Sequence, residues 1–105
     1  MSVIGFLSVA PVKEGGMSED VAQAVAALDS YDVEYQTTPM GTIIETDDIE
    51  TLLDAVGAAH NAVDADRVST FLKVDDRRDV DRRADEKVAS VEEHLGREAS
   101  SARGE

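Results

Sequence analysis

The part of this sequence best equipped for chemistry is a run of hydroxyls around a Pro/Gly turn. Thr37, Thr38 and Thr42 flank Pro39-Met40-Gly41, and the stretch ends on the carboxylate of Glu45. A hydroxyl both gives and accepts hydrogen bonds, whereas an ionised carboxylate only accepts. Phe6, Ser8 and Phe71, on neighbouring strand-like segments, add an aromatic wall and one more hydroxyl. A site built from Phe6, Ser8, Thr37, Thr38, Met40, Gly41, Thr42, Glu45 and Phe71 suits a flat, polar heterocycle, a cationic one included. Against this stands the plain fact that threonine is a good strand residue wherever it occurs.

Other chemistries find little support. There is no cysteine, hence no thiolate nucleophile, disulfide framework or Cys metal site. His60 falls on an apolar helical stripe and reads as a core-edge histidine held by one hydrogen bond. His94 sits near a helix C-terminus, where a cation is favoured. With no His pair at ligand spacing, no metal site is expected. No Ser/His/Asp signature, phosphate-binding loop or dinucleotide fingerprint occurs. No catalytic residue is nominated, and the chain is not expected to be an enzyme.

The elements that must position these groups follow from hydrophobic periodicity. Residues 3–11 read as a strand with two largely apolar faces, so it is expected to be central. A helix is predicted over 18–30, with Ser18 as N-cap, Glu19 and Asp20 in its first turn, and Val21, Val25 and Leu28 recurring at helical spacing. Strands are predicted over 33–38 and 42–46 on either side of the turn, where Pro39 presets φ and Gly41 can take a positive one. Asp47 to Glu50 has capping-box form. Ile49, Leu52, Leu53, Val56, His60 and Val63 then make one helical stripe. A fourth strand is predicted over 67–75 and a third helix over 79–95, with Val80, Ala84, Val88, Val91 and Leu95 as its stripe and Gly96 just past its end.

The order β-α-β-β-α-β is the ferredoxin-like, split β-α-β pattern, here an α+β sandwich with an additional C-terminal helix. One domain over 1–96 and a flexible acidic/polar tail over 97–105 are expected. Val3, Leu7, Val9, Leu72 and Val74 are assigned to the helix-covered face. Ile4, Phe6, Ser8, Thr42, Ile44, Phe71 and Lys73 are assigned to the opposite one, where Thr42 and Ser8 form a hydroxyl pair beside the aromatic wall, with Glu45 near the rim of the pocket. That second surface is too apolar to stand open on a small monomer, so a third helix, a ligand or another copy is expected to cover it. Asp75-Asp76-Arg77-Arg78-Asp79 reads as a charged connection in which Arg77 or Arg78 ties the third helix to the sheet or to a neighbouring subunit.

Net charge is −13, from 23 acidic and 10 basic residues among 105. This argues against nucleic acid and against anionic membrane surfaces as partners. No run approaches the roughly 18 apolar residues of a membrane span. The first residues lack a basic leader pattern, and a cytoplasmic, soluble protein is expected. Scarce lysine with abundant Asp fits a halophilic source, since the Debye length falls to about 3 Å at 1 M salt.

Val3 through Val9, Pro39-Met40-Gly41-Thr42 followed by Ile44-Glu45, His60, Arg67-Val68, and Lys73-Val74-Asp75 followed by Arg77-Arg78-Asp79 together resemble the YkoF-like thiamine-binding protein family. The similarity covers almost the whole chain, and the Pro-Met-Gly-Thr turn and the Asp-x-Arg-Arg-Asp segment are its most specific parts. The resemblance implies a ferredoxin-like fold, dimers or tetramers, no catalytic activity, no cofactor, and binding of thiamine or its hydroxymethylpyrimidine moiety near a subunit interface. Residue chemistry agrees: an aminopyrimidine can stack and exchange hydrogen bonds with hydroxyls, and an acidic protein attracts a thiazolium cation. Lack of a phosphate-binding loop favours the unphosphorylated vitamin. The competing expectation is an oligomeric regulatory or interaction module that binds another metabolite or a protein.

Overall fold

Strict alternation of buried and half-buried residues along β1 (Val3–Pro11) makes this strand the spine of the protein. The computed structural model describes residues 2–79 and 83–101. After β1 come α1 (Ser18–Ala27) with a 3-10 turn at Leu28–Ser30, then β2 (Glu34–Thr38), β3 (Gly41–Thr46), α2 (Ile49–Ala62), β4 (Val68–Asp76) and α3 (Ala84–Leu95). The four strands form one antiparallel sheet in the order β2-β3-β1-β4. This is the ferredoxin-like arrangement, with α1 and α2 packed together on one face and α3 added at the end.

The core lies between that helix pair and the sheet. Leu28, Ile44 and Leu52 are fully buried, and Leu7, Val9, Ala24, Ala55 and Ala59 fill the space around them. Burying each of the three larger side chains contributes about 1.5–3 kcal/mol. Ala55 and Ala59 give α2 a small-residue inward face in a chain with no tryptophan.

Helix boundaries differ from expectation in informative ways. Met17, not Ser18, occupies the N-cap of α1, and no side chain caps that end. Asp20 in the first turn faces inward, is buried, and pairs with Lys13 at 2.9 Å. The cap of α2 is Asp48 rather than Asp47. Its extended backbone places Oδ1 2.7 Å from the Thr51 N–H it accepts from, and that bond holds the Asp48 carboxyl below its ordinary pKa. Leu53, placed on the buried stripe of α2 by periodicity, is 51% exposed, and Ala55 and Ala59 take the inward positions instead. α3 begins at Ala84 rather than at 79, and its predicted stripe member Val80 lies outside the described residues. Gly96 ends α3 with φ of 78°, the left-handed conformation expected of it.

The largest correction concerns the faces of the sheet. Directly opposed residues of antiparallel strands point the same way, and β1 pairs Gly5 with Ile44 and Leu7 with Thr42. Thr42 and Ile44 therefore face the helices, 5% and 0% exposed, not the open side. Ile43 and Glu45 take the open side instead. The β4 assignment holds: Phe71 pairs with Ser8 and Lys73 with Phe6 on the open face, while Leu72 pairs with Leu7.

Candidate functional site

The β2–β3 hairpin has a two-residue loop, Pro39-Met40, closed by the Thr38–Gly41 pair. Thr38 Oγ1 staples it, accepting from the Met40 N–H at 3.2 Å and the Gly41 N–H at 3.3 Å and donating to the Gly41 carbonyl at 2.8 Å. The Thr38 hydroxyl is thus spent on the turn. Gly41 does not use a positive φ. The next pair outward is Thr37 opposite Thr42, on the helix-facing side. Their hydroxyls lie 3.2 Å apart.

These two hydroxyls open on a cavity of ≈160 Å³ between α1 and the ends of β1, β2 and β3. Leu7 and Val9 form part of its floor, Val21, Ala24 and Leu28 its helical wall, and Met17 and Met40 also line it. None of the lining residues is charged. One hydroxyl hydrogen is used between the two threonines. The pair still offers one O–H donor and free lone pairs side by side. That matches an edge that carries a ring nitrogen acceptor next to an amino donor, as an aminopyrimidine does.

The structure brings six of the sequence-predicted site residues to the border of this cavity, namely Thr37, Thr38, Met40, Gly41, Thr42 and, with its side chain turned to the open face beside Phe71, Ser8. It does not bring the other three. Phe6, Glu45 and Phe71 belong to the open face of the sheet, where Phe71 is 59% exposed. The expected hydroxyl pair of Thr42 with Ser8 is replaced by Thr42 with Thr37, because Thr42 follows Leu7 in register. The aromatic wall stands on the other side of the sheet from the hydroxyls. The α1 residues that complete the cavity escaped the sequence reading. Val21 and Leu28 were visible as a stripe, but nothing in their spacing says that a stripe leaves a gap against the sheet.

A second, wider cavity of ≈760 Å³ lies on the open face under α3, floored by Ile4, Phe6 and Ile43 and walled by Val88. Its rim is a set of ion pairs. Glu45 Oε2 accepts from the Ala84 N–H at 2.8 Å and so caps α3 from β3. Arg83 pairs with Glu34 at 2.5 Å and lies 3.5 Å from Glu45. The Glu34 hydrogen bond, with Glu45 beside it, raises the Arg83 pKa. Lys87 donates to Asp75 and holds that carboxyl below its ordinary value. Arg83 and Lys87, not Arg77 or Arg78, thus tie α3 to the sheet. Arg77 and Arg78 pair locally, with Asp79 and Asp76. The Glu45 carboxylate, expected at the rim of a ligand pocket, is committed to α3.

His60 Nδ1 meets Thr70 Oγ1 at 2.5 Å and joins α2 to β4, the single-bond role expected of it. His94 Nδ1 lies 2.9 Å from the Ser90 carbonyl within α3. Among the described residues no group of three or more His, Cys, Asp or Glu is placed to hold a metal ion, and no helix is long and apolar enough to cross a membrane.

Comparison with known proteins places the fold and the chain among relatives. Residues 6–92 match the family model described as thiamine-binding protein. A UPF0045 protein of Methanothermobacter thermautotrophicus is 49% identical over 82 residues, 75% of this chain and 83% of that one. The crystal structure of a Methanocaldococcus jannaschii UPF0045 protein, 33% identical, superposes with a TM-score of 0.81 and covers 88% of this chain and 97% of that one. A Thermotoga maritima protein provisionally assigned to thiamine biosynthesis/salvage shares the fold, with a TM-score of 0.75 at 23% identity over 87% of this chain and 99% of that one. Matched span and identity together place the chain in the thiamine-binding protein family.

Proposed function

We propose that this chain is a non-enzymatic binding protein for thiamine or its hydroxymethylpyrimidine moiety. The cavity under α1 takes the pyrimidine ring. The observation that carries this reading is the Thr37–Thr42 hydroxyl pair, facing an otherwise apolar, ring-sized space. The hydroxyls read the donor and acceptor on the aminopyrimidine edge, and the aliphatic walls accept its faces. With no charged side chain in the lining, a diphosphate has no counter-charge there, and the overall charge of −13 repels it. The unphosphorylated compounds are the ligands that fit.

Calorimetric titration in molar salt with thiamine, hydroxymethylpyrimidine and thiamine diphosphate tests this. Saturable heat is expected from the first two and much weaker binding from the third. No heat from any of them would transfer the protein to the competing role, an oligomeric module for another metabolite or a protein.

A specific observation also favours self-association. Phe71, Val88, Val91 and Leu95 are 59%, 52%, 56% and 46% exposed on or beside the open face. α3 therefore covers that face only in part. Of the five carboxylates lining its cavity, Glu34, Glu45 and Asp75 are paired with Arg83 and Lys87, and Asp85 lies 3.9 Å from Arg83. Repulsion between two acidic chains is weakest where charges are compensated within each chain. A second copy is the occupant that suits this surface, in a dimer or tetramer. The cavity under α1 lies across the sheet from it.

A further inference from the structure

We propose that Met17 and Met40 form an outer subsite at the mouth of the α1 cavity, which takes the second ring of a two-ring ligand. The proposal rests on the reading that the cavity itself holds the aminopyrimidine. A cavity near 150 Å³ holds a single six-membered ring, and this one measures ≈160 Å³. Any ligand that carries a second ring must leave that ring at the entrance.

The entrance is built for it. Met17 and Met40 line the cavity, yet they are 45% and 80% exposed. Each therefore spans the boundary between inside and solvent. They come from opposite walls: Met17 caps α1, and Met40 is at the tip of the β2–β3 loop. The chain has three methionines, and apart from Met1 both of them stand here. Thr38 Oγ1 fixes the Met40 backbone through its N–H, while the Met40 side chain stays in solvent. A thioether is unbranched and polarisable, and sulfur packs well against the edge of an aromatic ring. Two such side chains can close on a thiazolium from either side and leave its charge in contact with water. The surrounding chain, at −13, favours a cation in that position.

The subsite separates two ligands that share the inner ring. Thiamine would use both the threonine pair and the methionines. Hydroxymethylpyrimidine would use the threonines alone. Calorimetry on the full chain and on Met17→Ala and Met40→Ala, with both compounds, tests this, after circular dichroism has shown that the variants melt as the parent does. Loss of a sulfur–aromatic contact together with some apolar burial corresponds to about 3- to 10-fold in affinity. Thiamine is expected to weaken by that factor in each variant, and hydroxymethylpyrimidine by less than about twofold. Equal losses for both compounds, or none for thiamine, would overturn the subsite while the inner site stands. A parent chain that binds neither compound would overturn the inner site, and the subsite with it.

Discussion

The ring of Phe6 occupies the place where a side chain at residue 41 would start. A Cβ built on Gly41 falls 2.7 Å from Phe6 Cζ and 2.8 Å from the Leu7 carbonyl oxygen. Glycine is therefore required in this turn for close approach rather than for a positive φ. The same contact couples the two sides of the sheet: Phe6 belongs to the open face, and the loop it braces carries Met40 at the mouth of the cavity.

Gly41→Ala is accordingly expected to destabilise the fold. The Phe6 ring can swing away, but the Leu7 carbonyl belongs to the central strand and cannot. Overpacking of this kind costs about 1–3 kcal/mol. Gly57, in the middle of α2 with nothing within 4 Å of an added Cβ, is the control. There Gly57→Ala is expected to stabilise by ~0.5–1 kcal/mol through helix propensity. Urea denaturation of both variants measures the contrast, and a Gly41→Ala protein as stable as the parent would contradict the packing described.

The binding site predicts its own pattern of sensitivity. Thr42→Val and Thr37→Val each remove one hydroxyl of the pair and leave a ligand polar group unpaired, at a cost of about 1–3 kcal/mol in binding. Phe71→Ser, on the other face, is expected to leave affinity unchanged. Titration of thiamine into the three variants decides between the two faces. Should Phe71→Ser abolish binding while both threonine variants bind as the parent does, the ligand sits on the open face.

How much of this was legible in the sequence turns on two registers, that of β3 against β1 and that of β2 against β3. The strands, the helix pair and the ferredoxin-like order follow from periodicity and from the Pro/Gly turn. The hydroxyls were recognised as the polar feature of the turn. Their face was not, because β1 is apolar on both sides and gives no sign of which parity of β3 it pairs with. Reading Pro39-Met40-Gly41 as a three-residue turn would set Thr38 opposite Thr42. The actual two-residue loop sets Thr37 there, and a slip of one residue sends every side chain to the other face. Likewise the start of α3 was not readable from 79 onward. It is fixed by Glu45, a residue 39 positions away in sequence, whose carboxylate has no local signature as a cap.

The Lys87–Asp75 pair makes the hold on α3 sensitive to acid. Asp75 is held below its ordinary value of 3.8 by Lys87, chiefly through their hydrogen bond. A carboxyl whose pKa is lower folded than unfolded stabilises the fold above its unfolded pKa. That stabilisation is lost as pH falls through the folded value. Arg83 is shifted upward, so it stays charged throughout and adds no transition of its own. The hold on α3 is thus expected to persist at neutral pH and to weaken as pH drops below about 4, where carboxylates protonate. Amide hydrogen exchange, followed residue by residue over α3 and over α2, reads this out. α3 amides should lose protection first, while the α2 core is retained. Lys87→Met should bring α3 to the acid-loosened level already at neutral pH. Exchange in α3 that is indifferent to both changes would mean that the ion pairs do not hold it.

Assembly and salt should act together. At −13 per chain, association multiplies like-charge repulsion, and screening relieves it. Light scattering is expected to show a dimer or tetramer of the 11.3 kDa chain in molar salt, with dissociation and a lower melting temperature as salt is removed. Placing a charge in the apolar surface by Phe71→Asp or Val91→Asp should give a monomer even in high salt, because an ion would have to be buried unpaired. The same substitutions should leave the Thr37–Thr42 cavity able to bind, since it opens on the other side of the sheet. A parent chain that is monomeric at all salt concentrations would remove the case for a second copy on the open face. A Phe71→Asp monomer that has also lost thiamine binding would show that the site needs its partner after all.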